Sequence, residues 1–212
     1  MKTVICFFLS LVMLPLNAKD WGKDILALEA KAEKAKYPKG GYLFVGSSSI
    51  RMWDLKKSFP ELKAINHGFG GSELSDSIQY ADRIVIPFRP KVVFLYAGDN
   101  DISNGESAEA VTADFQAFAA KIHKALTVTQ IVFLPIKPSV SRWKLWPEMK
   151  KANLAIKVLT EKEDHLHYLD TVTPMMGKDG KPMGDLFKDD GLHLNAKGYA
   201  LWNKVVKEWI GQ

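Results

Sequence analysis

Short apolar runs alternate with longer amphipathic segments along most of the chain. Residues 42–45, 91–96 and 130–134 are apolar at nearly every position, which is typical of strands buried on both faces of a parallel sheet. Weaker strands are predicted at 64–65 and 167–169. Apolar residues that recur three or four positions apart predict five helices, over about 20–36, 73–86, 107–126, 146–162 and 196–210.

The alternation of strands and helices predicts an α/β domain. We expect a three-layer α/β/α sandwich, with a mostly parallel central sheet of about five strands. No internal repeat or linker divides residues 19–212, so a single domain is expected over that range. Ligands of such sheets bind beyond the carboxyl ends of the strands, and catalytic residues are therefore expected in the loops that follow the strands.

The first 18 residues are typical of a secretory signal peptide. Lys2 precedes an apolar run from Val4 to Leu16, and Asn17-Ala18 ends that run. The run is shorter than the roughly 20 residues that span a bilayer. We expect removal of residues 1–18 and a secreted or periplasmic protein; an uncleaved anchor is the alternative. No stable membrane insertion is expected after removal, because no other apolar stretch is long enough.

Cysteine usage and charge exclude several classes of function. The one cysteine, Cys6, lies in the predicted signal, so disulfides, thiolate catalysis and cysteine metal sites are excluded from the mature chain. The formal charge is +5, but basic and acidic residues are interspersed, and the densest basic stretch, 31–39, contains Glu33. This pattern indicates a solvated helix face, and no nucleic-acid partner is predicted. The sequence does not indicate an oligomeric state.

Four loops carry polar residues suited to catalysis. Gly46-Ser47-Ser48-Ser49 follows the first predicted strand, the segment 66–71 follows the second, and Gly98-Asp99-Asn100-Asp101 follows the third. The fourth, Asp190-Gly191-Leu192-His193, stands just before the last helix. Each loop alone is a common kind of turn. Their order, and the position of three of them after strands, favour one shared site.

With these four blocks the chain resembles the SGNH hydrolase family of GDSL-like lipases and acylhydrolases, from residue 41 to about 199. Within that family it is similar to the group of acyl-esterases and platelet-activating-factor acetylhydrolase-like enzymes. The resemblance implies a flavodoxin-like SGNH fold and a serine esterase without a cofactor. The family usually has Asp before the nucleophile, where this chain has Ser47. The roles that the resemblance implies are nucleophile for Ser48, catalytic pair for Asp190 and His193, and oxyanion-hole donors for Ser48, Gly71 and Asn100.

Elementary chemistry agrees with these roles. A serine hydroxyl attacks an ester only when a base takes its proton, and histidine is a suitable base near neutral pH. A carboxylate three residues earlier can orient the ring, and the oxyanion that forms needs preorganised donors. The resemblance implies hydrolysis of small-molecule carboxylic esters. Because the sequence has no long apolar insertion of the kind that a long-chain lipase uses as a lid, we expect a short acyl group such as acetyl, on a sugar or a lipid-like alcohol. The alternatives are a lysophospholipase or thioesterase, and a non-catalytic module that binds glycan or phosphate.

Candidate substrate contacts are aromatic and basic residues that are either close in sequence to these blocks or in the loop after the fourth predicted strand, which should overhang the same strand ends. They are Trp53, Phe69, Arg142 and Trp143. Trp53 is equally compatible with a core position. Asp99 and Asp101 flank Asn100, and we expect them to brace the loop, because no further carboxylates with ligand spacing accompany them. No metal site is therefore predicted.

Overall fold

The computed structural model describes residues 20–211, so the predicted signal peptide, residues 1–18, lies outside the described residues. The five strands are β1 (Tyr42–Gly46), β2 (Ala64–Gly68), β3 (Val92–Tyr96), β4 (Gln130–Phe133) and β5 (Leu166–Tyr168). They form one sheet in the order β2-β1-β3-β4-β5, and every neighbouring pair is parallel. The predicted α/β fold with a parallel five-stranded sheet is confirmed. The strand order reverses beside β1, which makes the carboxyl end of β1 a topological switch point.

Helices cover both faces of this sheet. Alternate side chains of a strand point to opposite faces, and in β1 Leu43 and Val45 join one apolar cluster while Phe44 joins the other. The helices are α1 (Gly22–Ala35), α2 (Ser48–Arg51), α3 (Leu55–Ser58), α4 (Leu74–Ile84), α5 (Asp99–Ser103), α6 (Ala108–Ala125), α7 (Trp146–Thr160) and α8 (Ala196–Ile210). The first cluster includes residues of α1, α4, α6 and α7, and the second includes residues of α8.

The ends of β1 and β2 are packed too closely for any residue but glycine. Gly46 has φ +129°, and a Cβ there would lie 1.9 Å from the carbonyl oxygen of Tyr96. A Cβ on Gly68 would lie 2.2 Å from the backbone nitrogen of Arg51 in α2. The two glycines therefore let β1 turn sharply and let α2 rest on the end of β2. Among residues 20–211, no helix combines the length and the apolar character that a membrane span requires.

Candidate active site

Ser48 is the first residue of α2, directly beyond the carboxyl end of β1. Ser47 precedes the helix in an extended conformation, and its N–H donates to the carbonyl of Tyr96 at 3.0 Å. The residue in the capping position is therefore Ser47. Ser48 is half-buried, whereas Ser47 and Ser49 on either side are buried. Of the three serines in this loop, Ser48 is the one that solvent reaches best.

His193 and Asp190 complete a hydrogen-bonded chain that begins at Ser48. His193 Nε2 lies 3.0 Å from Ser48 Oγ, although 145 residues separate the two in sequence. On the other side of the ring, Nδ1 lies 2.6 Å from Asp190 Oδ2. The structure thus brings together the three residues that the sequence selected as nucleophile, base and orienting carboxylate.

The local turn at Asp190 fixes the charge and the direction of its carboxylate. Oδ1 accepts the backbone N–H groups of Leu192 at 2.8 Å and His193 at 2.9 Å. The hydrogen bond from the His193 ring, together with these two backbone donors, holds the pKa of Asp190 well below its usual range. An ionised carboxylate only accepts hydrogen bonds, so His193 Nδ1 carries a proton and the Nε2 lone pair faces the Ser48 hydroxyl.

Asn100 contacts Ser72, the residue that directly follows Gly71, so the loops of Gly71 and Asn100 lie next to each other. The Asn100 amide donates from Nδ2 to the carbonyl of Ser72 at 2.9 Å, and Gly71 precedes Ser72 in a left-handed conformation with φ +84°. Gly46 pairs in register with Gly68 of β2 and with Tyr96 of β3. The Ser48 loop therefore leaves the sheet between the loops that carry the two predicted oxyanion donors.

A buried ionic network lies next to Asn100. The Asp99 carboxylate accepts from Lys137 Nζ at 2.9 Å, from the Tyr96 hydroxyl at 3.0 Å and from Arg142 Nη1 at 2.5 Å. Lys137 is 1% exposed and Asp99 is 4% exposed. Burial alone would raise the pKa of Asp99, but Lys137 and Arg142 outweigh it and lower that pKa to about 2. Asp99 therefore braces the loop as expected, and it does so through a buried ionic network that the sequence did not indicate.

Asp101 braces the loops as expected, but it has acidic neighbours that the sequence analysis missed. Its two oxygens accept the backbone N–H groups of Leu74 at 2.7 Å and Gly98 at 3.0 Å. Carboxylate oxygens of Asp101, Glu106 and Asp114 lie within 4.8 Å of one another, so Asp101 does have acidic neighbours, contrary to the expectation from the sequence. Burial raises the pKa of Asp101 to about 7.

Two of the four predicted substrate contacts require correction. Trp53 is 2% exposed: its ring packs on Phe44, and its indole N–H donates to Asn203 at 2.7 Å. Phe69 is fully buried and makes an edge contact with Trp21. Both side chains belong to the core, and a substrate would not reach them.

Arg142 and Trp143 remain accessible. Both residues are half-buried, in the segment between β4 and α7. The Trp143 ring stacks on Trp146 at 6.1 Å between ring centroids, with 14° between the planes. Arg142 contacts the loop of Asn100, so it lies close to the candidate oxyanion donors.

Arg51 is a further residue beside the site, which was not among the candidates from the sequence. This exposed residue is three positions after Ser48 in α2, and three-residue spacing brings side chains to the same face of a helix. Its guanidinium lies against Gly70, beside the predicted donor Gly71: a Cβ on Gly70 would meet it at 2.6 Å. The spacing from Ser48 was the signal that would have found it.

Three structures with the same fold come from bacteria. A Streptococcus pneumoniae protein whose name refers to platelet activating factor has a TM-score of 0.78 and 18% identity over 89% of this chain and 93% of its own. A Bacteroides fragilis acylhydrolase has a TM-score of 0.74 and 19% identity, over 92% of this chain and 98% of its own. An acetylxylan esterase of Geobacillus stearothermophilus has a TM-score of 0.66 and 15% identity, over 82% of this chain and 95% of its own. At these identities the likeness shows the fold.

Sequence comparison identifies the family. Among curated proteins, none matches the chain. The model of the GDSL-like lipase/acylhydrolase family matches residues 49–201, beginning one residue after Ser48. That match spans well over half of the chain. The chain therefore belongs to the GDSL-like lipase/acylhydrolase family and is a carboxylic ester hydrolase.

Proposed function

We propose that the protein is a serine esterase that removes short acyl groups, acetyl in particular, from a sugar or a lipid-like alcohol. The observation that carries the serine mechanism is the 3.0 Å contact between Ser48 Oγ and His193 Nε2, with Asp190 2.6 Å from Nδ1. This arrangement satisfies the geometric requirement for general-base activation of a hydroxyl nucleophile.

In the proposed acylation step, Ser48 Oγ attacks the ester carbonyl carbon while His193 Nε2 takes the hydroxyl proton. The carbonyl oxygen becomes an oxyanion, and the N–H groups of Ser48 and Gly71 and the side-chain amide of Asn100 donate to it. The carbon–oxygen bond to the alcohol then breaks, and His193 returns the proton to the departing oxygen. The products of this step are the free alcohol and an acyl-Ser48 ester.

Deacylation repeats the sequence with water. His193 takes a proton from the water as its oxygen attacks the acyl carbon, and Ser48 leaves with that proton restored. The carboxylate of Asp190 stays ionised throughout and stabilises the imidazolium in both steps, in agreement with its lowered pKa. No cofactor is needed to balance either step.

Support for a sugar acetate comes from the surroundings of the site. The half-buried Trp143, stacked on Trp146, offers an aromatic surface one residue from Arg142, which contacts the Asn100 loop. An acetylxylan esterase is among the proteins that share the fold. Because that likeness shows only the fold, a substrate series is needed to identify the acyl group and the alcohol of the substrate.

A graded substrate series tests this proposal. The purified protein is assayed with p-nitrophenyl esters from acetyl to dodecanoyl, with acetylated xylo-oligosaccharides and with lysophosphatidylcholine. We expect kcat/KM to be highest for acetyl and to fall as the acyl chain lengthens. Ser48→Ala should abolish hydrolysis, while Ser75→Ala, a serine exposed on α4, should not change it. A maximum at long acyl chains would replace the acetyl proposal with a lysophospholipase.

A further inference from the structure

Arg142 contacts Asn100 on the one side of its amide that accepts hydrogen bonds. Arg142 Nη1 lies 3.2 Å from Asn100 Oδ1, 3.1 Å from the carbonyl oxygen of Asp99 and 2.5 Å from Asp99 Oδ1. A guanidinium has donors only and keeps its charge at every working pH. Arg142 therefore bonds only to the oxygen end of this amide.

A separate contact fixes the direction of the other end of the Asn100 amide, its NH2 group. Asn100 Nδ2 donates to the carbonyl oxygen of Ser72, which only accepts. If the amide turned by 180°, its NH2 group would face the guanidinium and its oxygen would face the Ser72 carbonyl. One contact would then place two hydrogen-bond donors against each other, and the other would place two acceptors against each other. One of the two Nδ2 hydrogens is used by Ser72, and the second stays available for another acceptor.

Arg142 is itself held by buried charge. Asp99 bonds to Arg142 and to Lys137, and the side chains of Asp99 and Lys137 are only 6% and 1% exposed. A buried charge that loses its partner is costly, so this arrangement resists rearrangement. Lys137 Nζ also donates to the Tyr96 hydroxyl at 3.0 Å, which joins the network to the end of β3.

We propose that Arg142 is a positioning residue, which holds the Asn100 amide with its NH2 group directed to the oxyanion. This inference rests on the proposed esterase function and changes the role predicted for Arg142 from substrate contact to orientation of a donor. The amide meets charge that develops mainly in the transition state, so loss of Arg142 lowers kcat and leaves KM nearly unchanged.

A double-mutant cycle between Arg142 and Asn100 tests the proposal in the full-length enzyme. Asn100→Ala should lower kcat for an acetyl ester by about a hundred- to a thousandfold. Arg142→Met should lower kcat by at least about tenfold, up to the loss caused by Asn100→Ala. In the Asn100→Ala background, Arg142→Met should change kcat by less than about twofold, because the group it positions is absent.

Two further variants control for charge and for folding. Arg83→Met removes an equivalent cation that pairs with Glu29 at 2.7 Å, on the α1–α4 side of the sheet, and should leave kcat unchanged. Arg142→Lys keeps a charged donor beside Asp99 and should retain more activity than Arg142→Met. If Arg142→Met does not fold, the cycle is run with Arg142→Lys, and the same loss of additivity is expected.

The inference would be overturned if the kcat losses of Arg142→Met and Asn100→Ala multiplied in the double variant. It would also be overturned if Arg142→Met raised KM with little change in kcat. Either result would leave Arg142 as a substrate contact. In that case Ser48→Ala would still be inactive, and the esterase proposal would stand. A wild-type protein that hydrolyses no ester would contradict both proposals.

Discussion

At the scale of single residues, the site divides two tasks between His193 and Asn100. His193 lies against the Ser48 hydroxyl and is oriented by a carboxylate whose pKa is far below neutral. The Asn100 amide instead contacts the Ser72 carbonyl and Arg142. The proposed mechanism therefore assigns proton transfer to His193 and oxyanion stabilisation to Asn100.

The two tasks predict different dependences of the rate on pH. His193→Ala should lower kcat by about a thousandfold or more and abolish the acid limb of the kcat/KM profile, because no imidazole must then be neutral. Asn100→Ala should lower the rate but keep that limb, since His193 still takes the Ser48 proton. Profiles from pH 5 to 10 measure the difference. An acid limb that survives in His193→Ala, or vanishes in Asn100→Ala, would contradict this division.

At this scale the sequence predicted which catalytic polar residues lie together, but it did not predict which aromatic side chains are buried. Ser48, Asp190 and His193 belong to short blocks whose chemistry is specific, and the structure brings them together. Trp53 and Phe69 were selected only for their nearness in sequence to those blocks. Whether an aromatic ring points to solvent or to the core depends on tertiary packing, and here both rings pack inward.

At the scale of secondary structure elements, regular patterns were predictable and short ones were not. The five long helices have 11 to 18 residues, enough to repeat an apolar period, and the central strands are short runs of consecutive apolar residues. Helices α2 and α5 have four and five residues, too few for a period to be recognised. These two helices carry Ser48 and Asn100, so the elements that present the site were the hardest to predict.

The contact between α2 and the end of β2 should limit substitution at Gly68. A Cβ there would lie 2.2 Å from the backbone of Arg51, so Gly68→Ala must displace α2. We expect a loss of roughly 1–3 kcal/mol in unfolding free energy, as for other overpacked sites. Because α2 begins with Ser48, kcat should fall as well. Urea unfolding and kcat measurements on the same preparation test both effects.

Gly184→Ala is the matched control for Gly68→Ala. Neither glycine has a positive φ, and a Cβ on Gly184 would have no atom within 4 Å. The stability and kcat of the Gly184→Ala variant should therefore be close to those of wild type. If Gly68→Ala behaved like Gly184→Ala, the packing of α2 on β2 would not be what positions Ser48.

At the scale of the whole molecule, the parallel sheet explains why distant blocks form one site. All strands run in the same direction, so the loops after β1, β2 and β3 leave the sheet at one edge. The segment before α8 reaches the same edge and supplies His193 to Ser48. Topology of this kind could be predicted from the alternation of elements. The substrate could not, because one fold supports many substrates and only side chains around the site distinguish them.

The central claim is that Ser48 is the nucleophile, and its covalent capture tests that claim most directly. The purified enzyme is treated with a fluorophosphonate, digested and analysed by mass spectrometry. The mechanism predicts one adduct on Ser48, complete loss of esterase activity in step with labelling, and no adduct in Ser48→Ala. An adduct on Ser47 or Ser49, or full esterase activity in Ser48→Ala, would contradict it.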